Sequence, residues 1–309
     1  MDFIREHADH TPAAGGLRWG VEPICAVLSE HGVKIAPSTY YEWRDKLPSA
    51  REQRDEVLLG HIHRVHAENF GVYGPRKVWL VLNREGIPVA RCTIERLMRQ
   101  AGLAGVVRGK VKRTTIGGVG PKPADLVRRN FAPTAPNRLW VSDFTYVSTW
   151  AGWVFVAFVI DAYARRIMGW RAATSMTADL VLDAVEQAIW VREREDRADF
   201  TALVAHHDHG SQYLSLAHSQ RLAEAGIRPS VGAVGSSYDN ALAESINGLY
   251  KTEVIKRRAW RTHEEVELAT ARWVDWYNHR RLHEYAGGDL TPIETENAYY
   301  DQTTTPAAS

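Results

Sequence analysis

The pattern that most limits the fold of this chain begins at Asn137, where three apparent strands follow one another before helices and strands alternate. The pattern predicts an antiparallel meander of three strands, at residues 139–147, 153–160 and 166–172. The second strand is almost wholly apolar, which predicts a central position. Helices are predicted at 178–191, 214–225, 239–255 and 263–277, and short strands at 202–205 and 228–232. This order predicts an α/β fold with a mixed sheet.

The first half of the chain has a helical texture instead. A helix is predicted around Val21, Ile24, Val27 and Leu28, ending at His31-Gly32, and a second begins at 37–39, where Ser38 or Thr39 can cap it. Three more helices are predicted within 51–104. The first covers 54–66 and carries an apolar face; the second ends at the turn signal 85–88, and the third begins near Ala90. The apolar face of the first consists of Val57, Leu58, Ile62 and Val65.

The last two of these helices, joined by a short glycine-containing turn, predict a helix-turn-helix. Arg91, Arg96 and Arg99 face outward on its second helix. A plain helical hairpin with a solvated basic face is the alternative. Residues 105–136 are rich in Gly, Pro and basic residues without periodicity, which predicts a linker whose charges suit phosphate contacts. The candidates there are Arg108, Lys110, Lys112 and Arg113.

Charge is unevenly distributed along the 309 residues, although the formal net charge is only +1. Residues 51–130 hold 16 basic and 7 acidic residues, whereas 131–309 hold 17 basic and 23 acidic ones. A basic segment joined to an acidic one predicts a polyanion-binding module attached to a part that concentrates carboxylates. Uneven charge on solvated surfaces is the simpler alternative.

Other classes of protein are disfavoured by the sequence. No run of about 18 apolar residues that could cross a bilayer is present, and residues 1–9 show no secretory signal pattern. Two cysteines, Cys25 and Cys92, cannot build a disulfide framework or a four-ligand zinc site. We therefore expect a cytoplasmic protein.

Three acidic residues are candidates for metal-dependent phosphodiester chemistry, which uses carboxylates to hold divalent ions. Asp143 lies inside the first strand, on the face it shares with Val141 and Thr145, where a buried carboxylate is costly. Asp208 closes a short strand, and Glu244 lies on a helix. Helical spacing places Asn240, Glu244, Asn247 and Lys251 on roughly one face, with Leu242, Ile246 and Leu249 facing inward. Asp161 and Asp239 are competing acids; a helix N-terminus explains Asp239.

These segments together resemble a known family. They are similar to the motifs of DDE transposases, in particular the second-frame product of the bacterial insertion-sequence-three family. The matching stretches are 140–146, 207–213, Gly235, 239–241 and Glu244-Ser245. Thirty-five residues separate Asp208 from Glu244, and Lys251 follows seven residues after the Glu, as in that family. The stretch 277–283 and Thr291-Pro292 resemble its C-terminal signature.

The resemblance implies a retroviral-integrase-like catalytic core with a ribonuclease-H-like mixed sheet, after an all-α helix-turn-helix region. Five segments are then expected: an N-terminal helical segment (1–50), a helix-turn-helix-like DNA-binding domain (51–104), a basic linker (105–136), the catalytic domain (137–300) and a flexible tail (301–309). Asp143, Asp208 and Glu244 would be the catalytic residues and metal ligands for two Mg²⁺ or Mn²⁺ ions. Lys251 would contact terminal DNA, with a weaker case for Asn240 and Asn247.

The implied activity is strand cleavage and strand transfer at the ends of an insertion sequence. Water and then a 3′-hydroxyl would attack phosphodiesters. The implied DNA partners are the terminal inverted repeats and the target DNA. The implied protein partners are further copies of the chain and a fused or associated upstream-frame product. The implied location is the bacterial cytoplasm, at the nucleoid.

Three alternatives stay open. One is an inactive DNA-binding regulator, and another is a structure-specific nuclease on the same fold. The third is a zinc hydrolase, suggested by His206, His207 and His209 around Asp208. Against zinc, consecutive strand residues point to opposite faces, so they cannot all reach one ion.

Overall fold

The computed structural model describes residues 1–10, 18–107, 132–207, 216–231, 241–284 and 288–304. The chain divides into two compact units, 1–61 and 62–309. Within the described ranges, no helix has both the length and the apolar character that crossing a membrane requires.

The first unit contains α1 (Asp2–His7), α2 (Val21–Glu30), α3 (Pro37–Arg44) and the beginning of α4 (Ala50–Glu68). Ile4, Ile24, Cys25 and Tyr40 form its buried core. The two helices predicted here are confirmed, whereas α1 was not predicted. The predicted Ser or Thr cap is wrong: Ala36 is the N-cap residue and makes no side-chain bond. Pro37 starts the helix instead, because its fixed φ suits the first helical position and it has no N–H to satisfy.

The second unit continues from α4 into α5 (Pro75–Arg84) and α6 (Arg91–Gln100), which form the predicted helix-turn-helix. Its turn is closed by the Trp79 indole, which donates a hydrogen bond of 2.9 Å to the Val89 carbonyl. The prediction for the apolar face of α4 holds for Leu58, Ile62 and Val65, which are buried, but is wrong for Val57, which is 62% exposed. Adjacent helical residues lie about 100° apart, so Val57 falls outside the buried stripe.

The centre of the second unit is a five-stranded mixed sheet in the order β3-β2-β1-β4-β5. Strands β1 (Leu139–Thr149), β2 (Gly152–Asp161) and β3 (Arg166–Ala173) form the predicted antiparallel meander. Strands β4 (Val204–His207) and β5 (Arg228–Val231) continue it in parallel from β1. The predicted α/β, ribonuclease-H-like mixed sheet is therefore confirmed.

Helices cover both faces of this sheet. One face is covered by α7 (Ala178–Arg194) and α8 (Leu216–Glu224), whose apolar side chains share a core with Trp140 and Val159. On the other face lie α9 (Ala241–Glu253) and α10 (His263–His279). There Phe158 contacts Tyr250 and Trp273, with ring centroids 5.3 and 6.0 Å apart. The sheet is thus held rigidly from both sides.

A last helix, α11 (Pro292–Thr304), was not predicted. It extends four residues beyond position 300, into the segment expected to be a flexible tail; residues 305–309 lie outside the described ranges. Its Glu296 is fully buried against Arg192 of α7.

Candidate active site

Asp143 lies on β1, next to the last described pair of the parallel ladder with β4. It pairs with Phe158 on β2, and its neighbour Ser142 is the last β1 residue that pairs with β4, opposite His207. The predicted alternation is confirmed, because Trp140 faces the α7 core while Asp143 faces α9. The half-exposed Asp143 therefore lies directly after the last described pair between β1 and β4.

Both oxygens of the Asp143 carboxylate accept hydrogen bonds. The Phe144 backbone N–H donates to Oδ1 at 2.9 Å, and Nδ2 of Asn247 on α9 donates to Oδ2 at 2.8 Å. Asn247 is 8% exposed. It is thus placed as an orienting partner of the carboxylate, whereas its sequence position had suggested a DNA contact.

Glu244 lies on α9, three residues before Asn247, and is half-exposed. Residues three apart on a helix are neighbours, with Cβ atoms about 5–6 Å apart. The contact between Asn247 and Asp143 therefore brings the helical turn that carries Glu244 to the Asp143 side of the sheet. The described residues thus place Glu244 on the helix that contacts Asp143.

The predicted inward face of α9 is only partly right. Ile246 is buried, but Leu242 and Leu249 are half-exposed, and the other buried positions are Ala243, Asn247, Tyr250 and Glu253. The helix is rotated because Tyr250 seats its ring on Phe158 and donates or accepts a hydrogen bond with Thr270 at 2.6 Å. A buried aromatic side chain dominates the packing of a short helix.

Asp208, His209 and Asn240 lie outside the described residues. The two residues before Asp208, His206 and His207, are described, and both imidazole rings are buried. Nδ1 of His206 lies 3.0 Å from Oγ of Ser230, whereas the ring of His207 contacts that of His218, 5.5 Å between centroids. The two imidazole rings thus contact different residues, as expected for adjacent side chains on opposite faces of a strand.

Asp161, a competing acid in the sequence, is fully buried and has a structural role. It pairs with Arg192 at 2.9 Å and accepts backbone N–H bonds from Asn137 and Tyr163. Burial raises the pKa of this carboxyl group, against the lowering effect of Arg192. Its carboxylate oxygens accept hydrogen bonds from groups inside the protein, which fits a structural role.

The donor set fits a hard divalent cation. Asp143 and Glu244 offer carboxylate oxygens that are half-exposed, the ligand type that Mg²⁺ and Mn²⁺ prefer. Asn247 uses its amide hydrogens on Asp143 and thereby fixes the direction of that carboxylate. Among the described residues no group of three or more His, Cys, Asp or Glu side chains is assembled, and the expected third ligand, Asp208, is not among them.

Lys251 lies one turn after Asn247 on α9. Its Nζ stands 4.6 Å from the ring centroid of Tyr146, so the side chain reaches from α9 to β1. Burial and then Lys256 lower the pKa of the Lys251 ammonium group, while Asp143 raises it. The predicted DNA-contacting lysine is thus a half-buried cation beside Asp143.

The predicted basic residues of the helix-turn-helix are accessible. Arg91 and Arg99 are exposed and Arg96 is half-exposed. Arg91 pairs with Glu95 at 2.8 Å, and Arg96 donates to Gln100 at 3.2 Å. The linker candidates, Arg108, Lys110, Lys112 and Arg113, lie outside the described residues.

Sequence reasoning missed two features of the site. The first is the orienting role of Asn247, whose signal was its spacing of three residues from Glu244. The second is a group of exposed aromatic side chains at Tyr146, Trp150 and Trp153. A strand with an aromatic residue at a solvent-facing position was the available signal.

Family matches cover most of the second unit. Residues 133–237 and 225–292 each match a family described as Integrase core domain, and residues 52–111 match one described as HTH-like domain. A cryo-EM structure of the simian T-cell lymphotropic virus intasome with the PP2A regulatory subunit B56 gamma contains a chain that is 13% identical. The match has a TM-score of 0.44 and covers 80% of this chain and 76% of that one.

Curated relatives match over nearly their whole length. The putative transposase for insertion sequence element IS986/IS6110 of Mycobacterium tuberculosis (strain CDC 1551 / Oshkosh) is 65% identical over 276 residues, 89% of this chain and 99% of the relative. The transposase for IS629 of Shigella sonnei is 54% identical over 92% of this chain and 93% of its own. Transposase InsF for IS3A of Escherichia coli (strain K12) is 29% identical over 96% and 97%. The chain therefore belongs to the insertion-sequence-three family of DDE-type transposases with an integrase core.

Proposed function

We propose that this chain cleaves and joins DNA strands at the ends of an insertion sequence, with Asp143, Asp208 and Glu244 as the catalytic metal ligands. The observation that carries the proposal is the 2.8 Å hydrogen bond from Asn247 to Asp143, which couples the Glu244 helix to the carboxylate on β1. Strand β4 ends beside Asp143, at His207, the residue before Asp208.

In the proposed reaction, water attacks a phosphodiester at the element end, and the freed 3′-hydroxyl then attacks a second phosphodiester. Bound Mg²⁺ or Mn²⁺, two ions per site, would lower the pKa of the attacking hydroxyl and stabilise the leaving oxygen. The chain's own residues position the components. Asn247 and the Phe144 N–H orient the Asp143 carboxylate, and Lys251 offers a positive charge to the DNA phosphates beside it.

Recognition of DNA is proposed for the basic surfaces outside the core. Arg91, Arg96 and Arg99 on α6 would contact the terminal inverted repeats, and the basic segment from Arg108 to Arg113 would follow phosphates. Asn240 is proposed as a further DNA contact. The chain would act as a homo-oligomer on element ends and target DNA, fused to or associated with an upstream-frame product, in the bacterial cytoplasm at the nucleoid.

The test is cleavage of a labelled element end with Mg²⁺, with end binding measured in parallel. Asp143→Asn, Asp208→Asn and Glu244→Gln should each lower cleavage at least about 1,000-fold, because each removes a charged ligand. Binding of the end should stay within about threefold, since positive residues elsewhere dominate it. Asp179→Asn, an exposed acid on α7, is the control and should leave both unchanged.

Two results would overturn the assignment. A triad variant that cleaves at the wild-type rate removes that residue from the site. Wild-type protein that binds ends without nicking them under any divalent ion indicates a regulator. Cleavage of branched DNA irrespective of the terminal sequence indicates a structure-specific nuclease instead.

A further inference from the structure

The hairpin that joins β1 and β2 presents three large aromatic side chains to solvent. Trp150 is 75% exposed, and Tyr146 and Trp153 are each 55% exposed. Exposed aromatic side chains that cluster on one element mark interaction surfaces, because such rings bury large areas when a partner is available. We call these three residues the hairpin aromatic patch.

The patch is fixed in position before any partner binds. The rings of Tyr146 and Trp153 meet edge to face, 5.3 Å between centroids. The hairpin tip is anchored by backbone bonds from Trp150 N to Trp260 O, 3.0 Å, and from Ala151 N to Arg261 O, 3.1 Å. The hairpin backbone and the Tyr146–Trp153 pair are therefore ordered without a ligand, which lowers the entropy cost of stacking on that pair.

Cations lie beside the aromatic rings. Lys251 Nζ stands over Tyr146 at 4.6 Å, and the Arg261 guanidinium over Trp150 at 5.5 Å. Lys256, Arg257 and Arg258, which separate the two in the sequence, are exposed; Arg257 donates to the Phe70 carbonyl and Arg258 stands over Trp260 at 4.1 Å. The carboxylate of Glu265 accepts the Arg261 backbone N–H at 3.0 Å. The surface thus combines ring faces with positive charge.

The patch is continuous with the candidate active site. Tyr146 follows Asp143 by three residues on β1, roughly 10 Å along a strand. Lys251, which touches Tyr146, follows Asn247 by one helical turn. By strand alternation Tyr146 and Trp153 lie on the opposite face of the hairpin from Asp143, and Lys251, which reaches from α9 to the Tyr146 ring, joins the two faces. A DNA strand at Asp143 can therefore reach the patch by passing Lys251.

A surface that combines exposed aromatic rings with positive charge favours unpaired bases over an intact duplex. Aromatic side chains next to cations bind single-stranded nucleic acid, where bases stack on the rings and phosphates meet the charges. The base faces of an intact duplex are already stacked on one another, so they are unavailable to rings on a surface. Lys251 and Arg261 beside the rings give the patch a positive charge that complements phosphates, which favours a nucleic acid as the partner.

Resting on the proposed DNA-cleaving function, we propose that the hairpin aromatic patch binds unpaired nucleotides of the DNA strand that enters the active site, by stacking their bases on Tyr146, Trp150 and Trp153. The enzyme would thereby hold a locally opened DNA end next to Asp143.

The experiment measures binding of the full chain, in EDTA, to a fluorescent oligothymidylate and to an abasic oligonucleotide of the same length. Wild-type protein should bind the oligothymidylate more tightly. Trp150→Ala and Trp153→Ala should each weaken that binding roughly 5- to 100-fold, while binding of the abasic strand changes little. Trp190→Ala is the matched control, because Trp190 is 54% exposed and also carries an arginine, Arg194, at 5.3 Å.

Equal affinity of the wild type for both oligonucleotides would overturn the proposal, as would an unchanged ratio in the Trp150→Ala/Trp153→Ala double variant. A double variant whose only defect is a lower mass in sedimentation without DNA would instead identify the patch as an interface between copies of the chain. Asp143→Asn should keep the base-dependent binding. Failure of the cleavage proposal, seen with the triad variants, is therefore separable from failure of this one.

Discussion

At the scale of single residues, the position of Asp143 depends on a partner on another element. Its carboxylate is oriented by Asn247, which is buried on α9. One side-chain amide thus connects the strand that carries the first acid to the helix that carries Glu244.

Asn247→Ala should weaken the coupling between these acids. We expect a 10- to 100-fold loss in divalent-ion affinity or activity, the usual effect of removing a residue that orients a ligand. Titration of cleavage with Mg²⁺ measures it, and a higher Mg²⁺ concentration should restore part of the rate. Thr252→Ala on the same helix, whose hydroxyl bonds only its own helix at Gly248, is the control. An unchanged Mg²⁺ requirement in Asn247→Ala would show that the amide does not orient the site.

His283 is a second residue whose surroundings have a measurable consequence. Burial, with Arg281 and Lys77 nearby, lowers its pKa from 6.5 to about 2. Between these values the unfolded chain binds a proton that the folded chain does not, so stability falls as the pH falls below 6.5.

His283→Gln should therefore flatten the acid side of the stability profile. We expect wild-type protein to lose up to about 2 kcal/mol more than the variant between pH 6.5 and 5. Urea unfolding at several pH values measures the difference. The exposed Gln302 provides the control, since Gln302→Ala removes no titratable group and should keep the wild-type slope. Parallel profiles for wild type and His283→Gln would contradict the assignment.

At the scale of elements, the stretch 277–283 ties α10 to its neighbours. Asn278 accepts from Ile167 N at 3.0 Å and donates to Ile167 O at 2.8 Å, which completes the edge of β3. Arg281 pairs with the buried Glu253 at 2.6 Å at the end of α9. The motif that resembled a family signature thus acts as a structural clamp behind the site.

The contact between β3 and α7 is equally specific. Gly169 lies against α7 so closely that a Cβ atom would collide with the Ala184 carbonyl oxygen and lie 2.9 Å from Ala188 N. Both obstacles are backbone atoms and cannot rotate away. Close approach of a strand to a helix is therefore possible here only for glycine.

Gly169→Ala should destabilise the protein by at least about 3 kcal/mol, the upper part of the range for overpacking. Urea unfolding monitored by tryptophan fluorescence measures it. Gly60→Ala is the matched control: Gly60 is exposed within α4, so added helix propensity should stabilise by about 0.5–1 kcal/mol. Similar effects at both positions would mean that α7 can shift away from β3.

At the scale of the molecule, a buried ionic cluster joins distant parts of the chain. Arg192 on α7 pairs with Asp161 at the end of β2 and with Glu296 on α11, and all three are fully buried. Arg166 at the start of β3 pairs with Glu296 at 3.3 Å and with Glu195 at 2.5 Å. The last described helix is thereby fixed to the sheet.

Arg192→Met should leave two carboxylates buried without their main partner and destabilise the protein by about 3–5 kcal/mol. Limited proteolysis should then cut near α11 before the sheet is degraded. Arg194→Met, on the exposed side of α7, is the control and should change stability little. Equal protease resistance of Arg192→Met and wild type would mean that α11 is held by its apolar contacts.

The sequence alone determined the order of the five strands, the helices between α2 and α10, the mixed sheet and the helix-turn-helix, because alternation, helical periodicity and turn residues are local properties. The resemblance of its motifs pointed to the family. The sequence also identified Asp143 and Glu244 as candidate acids. It could not show that Asn247 faces Asp143, that Asp161 is neutralised by Arg192, or that α9 is rotated towards Ala243 and Tyr250. These contacts join residues that are far apart in the chain, 31 positions for Asp161 and Arg192 and 104 for Asp143 and Asn247. Only tertiary packing brings such side chains together.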